Sequence, residues 1–381
     1  MSTQPPEHVH PVLSFVHFGD LHLTRPDEQN DLDFQALVQH ANANLKGPTD
    51  FAVLPGDNAE DGTAEQFALV ARTIDRLEIP LEIIPGDHDA KSGGLDLYRQ
   101  WLEPELWRAR SVGGYRCIFL NSRDNGKPKG FGFGADQLDW LSAELATAEH
   151  AGEPAVLFMH TYPSELGESA PKVQALMRQH RILMVDMGHT HYNEIANDGR
   201  TIYAATRSTG QIEEGPVGFS VANLDGGVVS WKFAPLGEWP LVMITTPADQ
   251  AFIIDPTQPN QVVRGMTEVH AKTWDAKGIV SARCRIDDRP WRPMWQIGTS
   301  PMWLRSWNSA EVADGAHSIT VLVRCADGRM AVDTISVLTS QSGHYNAPAR
   351  KSGDNVNAIG AYPEKGLLGT QLGPNRNGRK W

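Results

Sequence analysis

Short apolar runs recur along the first half of the chain, and each stops at a small polar cluster. Phe15-Val16-His17-Phe18 runs into Gly19-Asp20-Leu21-His22, and Phe51-Ala52-Val53-Leu54-Pro55 into Gly56-Asp57-Asn58. Leu81-Glu82-Ile83-Ile84-Pro85 leads to Gly86-Asp87-His88-Asp89. Ala155-Val156-Leu157-Phe158-Met159 ends at His160, and Ile182-Leu183-Met184-Val185-Asp186-Met187 at Gly188-His189-Thr190-His191. Runs of this length, β-branched and bounded by Gly or Pro, predict buried strands that hand their last residues to loops. Between them the spacing changes to helical. Phe34, Leu37, Val38, Ala41 and Leu45 predict a helix over 33–45, and Phe67, Val70, Ala71, Ile74 and Leu77 one over 64–77. Shorter or weaker patterns predict helices over 95–102, 135–148 and 171–180, the last with proline in its first turn. Tyr115 to Leu120 reads as one more strand, and 122–134 as a loop.

After His191 the helical spacing fades. Strands are predicted over 201–206, 217–224 and 228–233, the last two joined by the hairpin signal Asp225-Gly226-Gly227. Residues 235–247 read as a Pro- and Trp-containing linker. Beyond it, strands are expected over 267–274, 279–286, 318–325 and 331–338, the last pair turning at Ala326-Asp327-Gly328. Alternating β and α elements followed by short strands predict an α/β layered domain over 1–240 and an all-β, Ig-like sandwich over 248–340. Residues 341–381, rich in Gly, Asn and Pro, read as a tail without its own core.

Length agrees with two domains: 381 residues exceed one ordinary domain. A hydrophobic share of 40% and a charged share of 21% suit globular cores. The formal charge of -12 argues against a general nucleic-acid or anionic-membrane surface, which favours Lys and Arg. It leaves a small phosphorylated substrate open, since bound metals reverse charge locally. Cys117, Cys284 and Cys325 form no close-spaced metal pair and read as reduced and buried. With no signal-peptide pattern and no membrane-length apolar run, a cytoplasmic address is expected.

The chemistry lies in the strand ends. Carboxylates crowded together repel unless a cation sits between them. Carboxylate and imidazole together are ligands for hard divalent and transition metals. One Asp-x-His or His-x-His is commonplace, but five strand ends in order, each delivering Asp or His, specify a metal site.

That ordered set, Asp20-x-His22, Gly56-Asp57, Gly86-Asp87-His88-Asp89, His160 and Gly188-His189-Thr190-His191, resembles the calcineurin-like metallophosphoesterases over about residues 12–235. The loop Gly56-Asp57-Asn58-Ala59-Glu60-Asp61-Gly62, the stretch Ile84 to Asp89 and Gln137-Leu138-Asp139-Trp140-Leu141 look most like the cyclic-nucleotide and glycerophosphodiester phosphodiesterase branch. The resemblance implies a four-layer α/β/β/α sandwich and a centre of two transition-metal ions, Fe, Mn or Zn. It implies Asp20, His22 and His191 on one ion, Asp87, His160 and His189 on the other, and Asp57 between them. A hydroxide bridging the ions would be the nucleophile attacking a phosphodiester. His88 would orient the phosphoryl group and protonate the leaving oxygen, with Asp89 orienting His88. Asn58 and Tyr162 are expected to face the substrate, Tyr162 against a base or aryl group.

Two departures stand out: Asp87 where the family usually has Asn, and Thr161-Tyr162-Pro163 after His160 where many cyclic-nucleotide enzymes have a second histidine. The alternatives are a phosphomonoesterase or phosphonate-ester hydrolase of the same fold, or a scaffold that has lost turnover. Scaffolds of that kind tend to lose ligands, whereas every ligand position here keeps an acid or imidazole. The C-terminal domain and tail are expected to supply a homo-oligomer contact.

Overall fold

The apolar runs of the first half become strands of two sheets that stack face to face. The computed structural model describes residues 11–124, 130–211 and 216–347. Most of the tail read from composition, from residue 348 onward, lies outside the described residues. In chain order the first elements are β1 (Val12–Phe18), α1 (Gln29–Asn44), β2 (Phe51–Leu54), α2 (Ala64–Ile74), β3 (Leu81–Ile83), α3 (Asp96–Trp101), β4 (Arg108–Val112) and β5 (Tyr115–Phe119). There follow α4 (Ala135–Ala151), β6 (Ala155–Phe158), α5 (Ala170–Gln179), β7 (Ile182–Met187), β8 (Glu194–Asn197), β9 (Ile202–Ala205), β10 (Gly218–Asp225) and β11 (Val228–Pro235).

One sheet has the order β11-β10-β1-β2-β3 and the other β4-β5-β6-β7-β9-β8. The strands β1, β2 and β3 run parallel, as do β5, β6, β7 and β9. Alternate side chains of β1 serve two different cores, as the period of a strand requires. Leu13 and Phe15 meet Phe158 and Phe119 between the sheets, while Val16 and Phe18 meet Phe34, Leu37 and Phe67 from the helices. A third core holds α4 and α5 against the second sheet through Leu141, Leu145, Val173 and Leu157. The result is the four-layer α/β/β/α sandwich.

Two strands of this region escaped the hydrophobic pattern. β4 reads Arg-Ala-Arg-Ser-Val and lies at a sheet edge, where Arg108 and Arg110 pair with Glu82 of β3 at 2.6 and 2.8 Å. β8, Glu194 to Asn197, is fully buried but only four residues long. Tertiary pairing decides both.

The second half adds β12 (Leu241–Thr246), β13 (Val262–Val263), β14 (Met266–Trp274), β15 (Ile279–Ile286), β16 (Arg292–Pro293), β17 (Trp295–Gln296), β18 (Met302–Asn308), β19 (Gly315–Cys325) and β20 (Met330–Thr339). They form a four-stranded sheet, β12-β14-β18-β17, and a five-stranded one, β13-β20-β19-β15-β16. Val242, Val269, Ala271, Trp303 and Trp307 of the first pack on Cys284, Ile319, Val321 and Val337 of the second. The stretch 235–247 read as a linker therefore contains β12, a strand flanked by Pro240 and Pro247 that hid it from pattern reading. The three cysteines are free and buried.

This strand-rich region is fused to the sandwich by a buried, largely polar seam. Trp274 is fully buried in the helix-side core and donates its indole N–H to Thr49 Oγ1 at 3.2 Å. His270 meets Asp225 at 2.8 Å, Lys232 meets Asp333 at 2.8 Å, and Asn197 donates to the carbonyls of Ala251 and Ile253. No described helix is long and apolar enough to cross a membrane.

Candidate metal centre

Parallel strands point their C-terminal ends the same way, so β1, β2, β3, β6 and β7 deliver their polar clusters to one edge of the sandwich. Asp20 and His22 follow β1, Asp57 follows β2, and Asp87 follows β3. His160 follows β6, and His189 and His191 follow β7. They assemble into two groups of potential ligand atoms, each within 4.8 Å: Asp20, His22, Asp57 and His191, and Asp57, Asp87, His160 and His189. Asp57 belongs to both.

Unusual backbone aims these side chains. Among the described residues, six other than glycine have positive φ, and four of them are His22 (45°), Asp57 (51°), His189 (66°) and His191 (62°). A left-handed conformation costs a non-glycine residue about 1–3 kcal/mol and persists where function demands it. Glycine solves the complementary problem of space. A Cβ on Gly86 would lie 2.1 Å from Asp57 Oδ1, and one on Gly188 would lie 2.1 Å from Asp20 Oδ1. The glycines before Asp87 and His189 therefore admit the neighbouring carboxylates.

The hydrogen bonds leave the facing atoms free. His160 Nδ1 donates to the Pro55 carbonyl at 2.9 Å, so Nε2 points at Asp57 Oδ2 and Asp87 Oδ1, 3.3 and 3.4 Å away. His22 Nδ1 donates to Glu60 Oε2 at 2.9 Å, and its Nε2 faces His191 Nε2 at 3.0 Å. Fixing one imidazole nitrogen by a carboxylate or carbonyl is how a ligating histidine is oriented. Asp20 Oδ1, Asp87 Oδ1 and His160 Nε2 are buried without hydrogen-bond partners. Orphaned polar atoms, opposed imidazole nitrogens and the one shared carboxylate fit a pair of cations in these two groups.

The electrostatics agree. Burial pushes Asp20 up, against the pull of His160. Burial would also raise Asp57, but His160 and His22 hold it far below the carboxylate range. Burial and the neighbouring His22 drive His191 down to about 3, keeping it a neutral donor. Beneath the site, His17 of β1 and Asp186 of β7 meet at 2.5 Å between the two sheets, pinning the strands that carry the clusters.

His88 stands beside both groups. Its backbone N–H donates to Asp57 Oδ1 at 2.8 Å, and its ring lies 4.5 Å from that of His22. Nδ1 contacts the Glu60 carbonyl at 2.8 Å and Lys91 Nζ at 2.5 Å, which leaves Nε2 for the mouth. Glu60 was unassigned on sequence and proves to be a hub. Its carboxylate takes His22 Nδ1, Lys91 Nζ and Gln211 Nε2, and against the upward push of burial, His22 and Lys91 hold it down to about 2. The available signal was an acid three residues after Asp57 on the same loop.

Three expected roles meet a different placement. The Asp89 carboxylate finds its hydrogen-bond partners away from the His88 ring. It is fully buried and accepts from Gly86 N, Ala59 N and Asn58 Nδ2, stapling the loops after β2 and β3, and burial with the nearby Asp57 raises it to about 7. Asn58, expected at the substrate, donates its Nδ2 to Asp89 and the Ile84 carbonyl, while its Oδ1 is buried without a hydrogen-bond partner. Tyr162 is buried with its hydroxyl on Glu194 at 3.1 Å. An apolar ring that sequence reading missed, Phe131, lies instead 4.8 Å from the His189 ring.

Comparison with known proteins yields a family and relatives. Residues 13–193 match the family described as calcineurin-like phosphoesterase. The probable glycerophosphodiester phosphodiesterase GpdQ of Arcobacter nitrofigilis is 27% identical over 169 residues, 40% of this chain and 60% of that protein. The glycerophosphodiester phosphodiesterase GpdQ of Enterobacter lignolyticus is 30% identical over 184 residues, covering 45% of this chain and 64% of its own. A probable cyclic nucleotide phosphodiesterase of Fibrobacter succinogenes is 26% identical over 245 residues, 60% of this chain and 91% of that one. The chain thus spans less than two thirds of the two GpdQ relatives. Among solved structures, a dimetal phosphatase from Danio rerio superposes with a TM-score of 0.50 at 15% identity, covering 58% of this chain and 96% of that one.

Proposed function

We propose, from the match of residues 13–193 to the calcineurin-like phosphoesterase family, that this chain is a dinuclear metal-dependent hydrolase of phosphoric esters that acts on phosphodiesters. The observation that carries the reading is the sharing of Asp57 by two complete donor groups. Asp20, His22 and His191 would hold one ion and Asp87, His160 and His189 the other, with Asp57 available to both. Mixed carboxylate and imidazole donors suit Fe, Mn or Zn. When bound, such a pair activates water as the nucleophile and neutralises charge on the phosphoryl oxygens.

The chain's own residues supply the rest. Glu60 and the Pro55 carbonyl occupy Nδ1 of His22 and His160, so when cations are bound both would present Nε2 without a proton to them. His88 is held through its backbone by Asp57 and through Nδ1–H by the Glu60 carbonyl, and in its imidazolium form, with both ring nitrogens protonated, it gives the Nε2 proton to the leaving oxygen. Asp89 maintains the spacing of the two loops that carry Asp57 and His88. The test is metal analysis of the purified protein followed by a panel of phosphate diesters and monoesters. Two metal equivalents with diester preference are expected. Two metals with no turnover would make the chain a metal-binding scaffold, and monoester preference would reassign the substrate.

A further inference from the structure

The two flanks of the donor cluster differ in chemistry. On the His88 side stands Lys91, its side chain 38% exposed, with Nζ 2.5 Å from His88 Nδ1 and 3.1 Å from Glu60 Oε1. An ammonium has three N–H groups, and these two contacts engage at most two of them. At least one donor on a positive charge is left beside the proton donor to the leaving oxygen. On the other flank stands Phe131, half-buried, its ring 4.8 Å from His189 and 5.9 Å from His160. A phenyl ring there is a flat apolar wall with no hydrogen bond to offer.

Resting on the phosphodiesterase reading above, we propose that the substrate is a diester with unequal arms. The arm that leaves carries a second anionic group for Lys91, and the arm that stays is flat and apolar for Phe131. Water adds its oxygen to phosphorus, the P–O bond to the anionic alcohol breaks, and His88 supplies the proton that the alcohol takes away; one water proton stays on the new P–OH and the other replaces the proton lost from His88. The monoester of the apolar alcohol remains. A cyclic nucleotide, whose two ester arms share one sugar, does not meet this description.

Neither residue was singled out by sequence reading, because each becomes meaningful only through its neighbours. Lys91 is four residues past Asp87 on a short turn, and Phe131 comes from a loop before α4. Lys91 stands by His88 and Glu60, whereas Phe131 stands by His160 and His189.

Four diesters of similar intrinsic reactivity test the proposal: benzyl or methyl phosphate esterified with 3-carboxypropyl or butyl alcohol. Phosphorus NMR reads which monoester accumulates. The native protein should prefer the benzyl 3-carboxypropyl diester and leave benzyl phosphate. Loss of a charge-assisted hydrogen bond in Lys91→Met should lower kcat/KM for the two carboxypropyl diesters by about 10–100-fold, and by far less for the butyl pair. Lys91→Arg should restore most of that selectivity. Phe131→Leu should lower kcat/KM for the benzyl pair by about 3–10-fold relative to the methyl pair. Benzylphosphonate, which is not turned over, should bind Phe131→Leu more weakly by the same factor in calorimetry. Equal effects of each variant on all four substrates, or a native protein that treats the four alike, would overturn the inference while leaving phosphodiesterase activity intact. A native protein with two metals that hydrolyses no phosphodiester would instead sink the reading on which it rests.

Discussion

Both halves of this chain bury two sheets face to face, yet every group of potential metal ligands among the described residues lies in the first half. Composition does not separate them, since the second half carries His270, Asp225-facing polar groups and several acids of its own. Direction of the strands does. In the first half β1, β2, β3, β6 and β7 run parallel, with helices or long crossovers returning the chain, so five loops open on one edge. In the second half β14, β15, β18, β19 and β20 pair antiparallel, and successive strand ends fall on opposite edges. A meander spreads its polar loops around the rim, whereas a parallel layer gathers them. The two halves also spend backbone strain differently. Of the six described positive-φ residues other than glycine, four aim candidate ligands, and one, Asp287, sits in the second half.

The sharpest test of this division is Asp57→Ala. Removing the shared carboxylate should strip both metals and reduce turnover to background, read by metal analysis and by diester hydrolysis, while the second half unfolds as before. Retention of two metals would break the assignment of Asp57 as the common ligand. Next in size, His88→Ala should keep both metals but lower turnover by about 10²–10⁴-fold, most for poor leaving groups, because the proton donor is lost. Metal loss in that variant, or equal effects on good and poor leaving groups, would remove His88 from its role.

Two further variants probe the seam between the halves. Trp274→Ala should cost about 3–5 kcal/mol in urea unfolding, since a fully buried indole from β14 fills the core beside α1. The metal content of the folded fraction should not change. Lys272, 5% exposed in the same strand, is held down to about 8 chiefly by burial, with Asp50 and Asp225 pulling the other way. A lysine whose folded value lies below its unfolded one penalises folding while charged, fully at low pH, and the penalty fades as pH rises from about 8 to 10.5. The native protein should therefore gain about 1–3 kcal/mol relative to Lys272→Met across that window. A pH-independent difference between the two would show that Lys272 stays charged in the seam. The smallest effect belongs to the outer face of the second half. Val332→Ser, at a side chain 52% exposed, should move stability by no more than about 0.5 kcal/mol and leave turnover unaltered.

The parallel layers were legible in the sequence because buried strands and amphipathic helices write opposite periods. Thus β1, β2, β3, β6 and β7 and the helices between them fall close to where apolar spacing puts them. The second half was harder. β12 hid between Pro240 and Pro247, and β18 hid among Trp303, Arg305 and Trp307, whose alternation is blurred by a half-buried arginine. The identities of the seven clustered acids and imidazoles were likewise readable, since each follows an apolar run in a fixed order. Their partners were not. That Asp89 staples two loops instead of orienting His88, that Glu60 joins His22 to Lys91, and that Tyr162 turns to Glu194 depends on which loops meet. A strand's period specifies which face a side chain takes. The hydrogen bond it finally makes depends on groups up to 169 residues away, as between His17 and Asp186, brought close only when the two sheets stack.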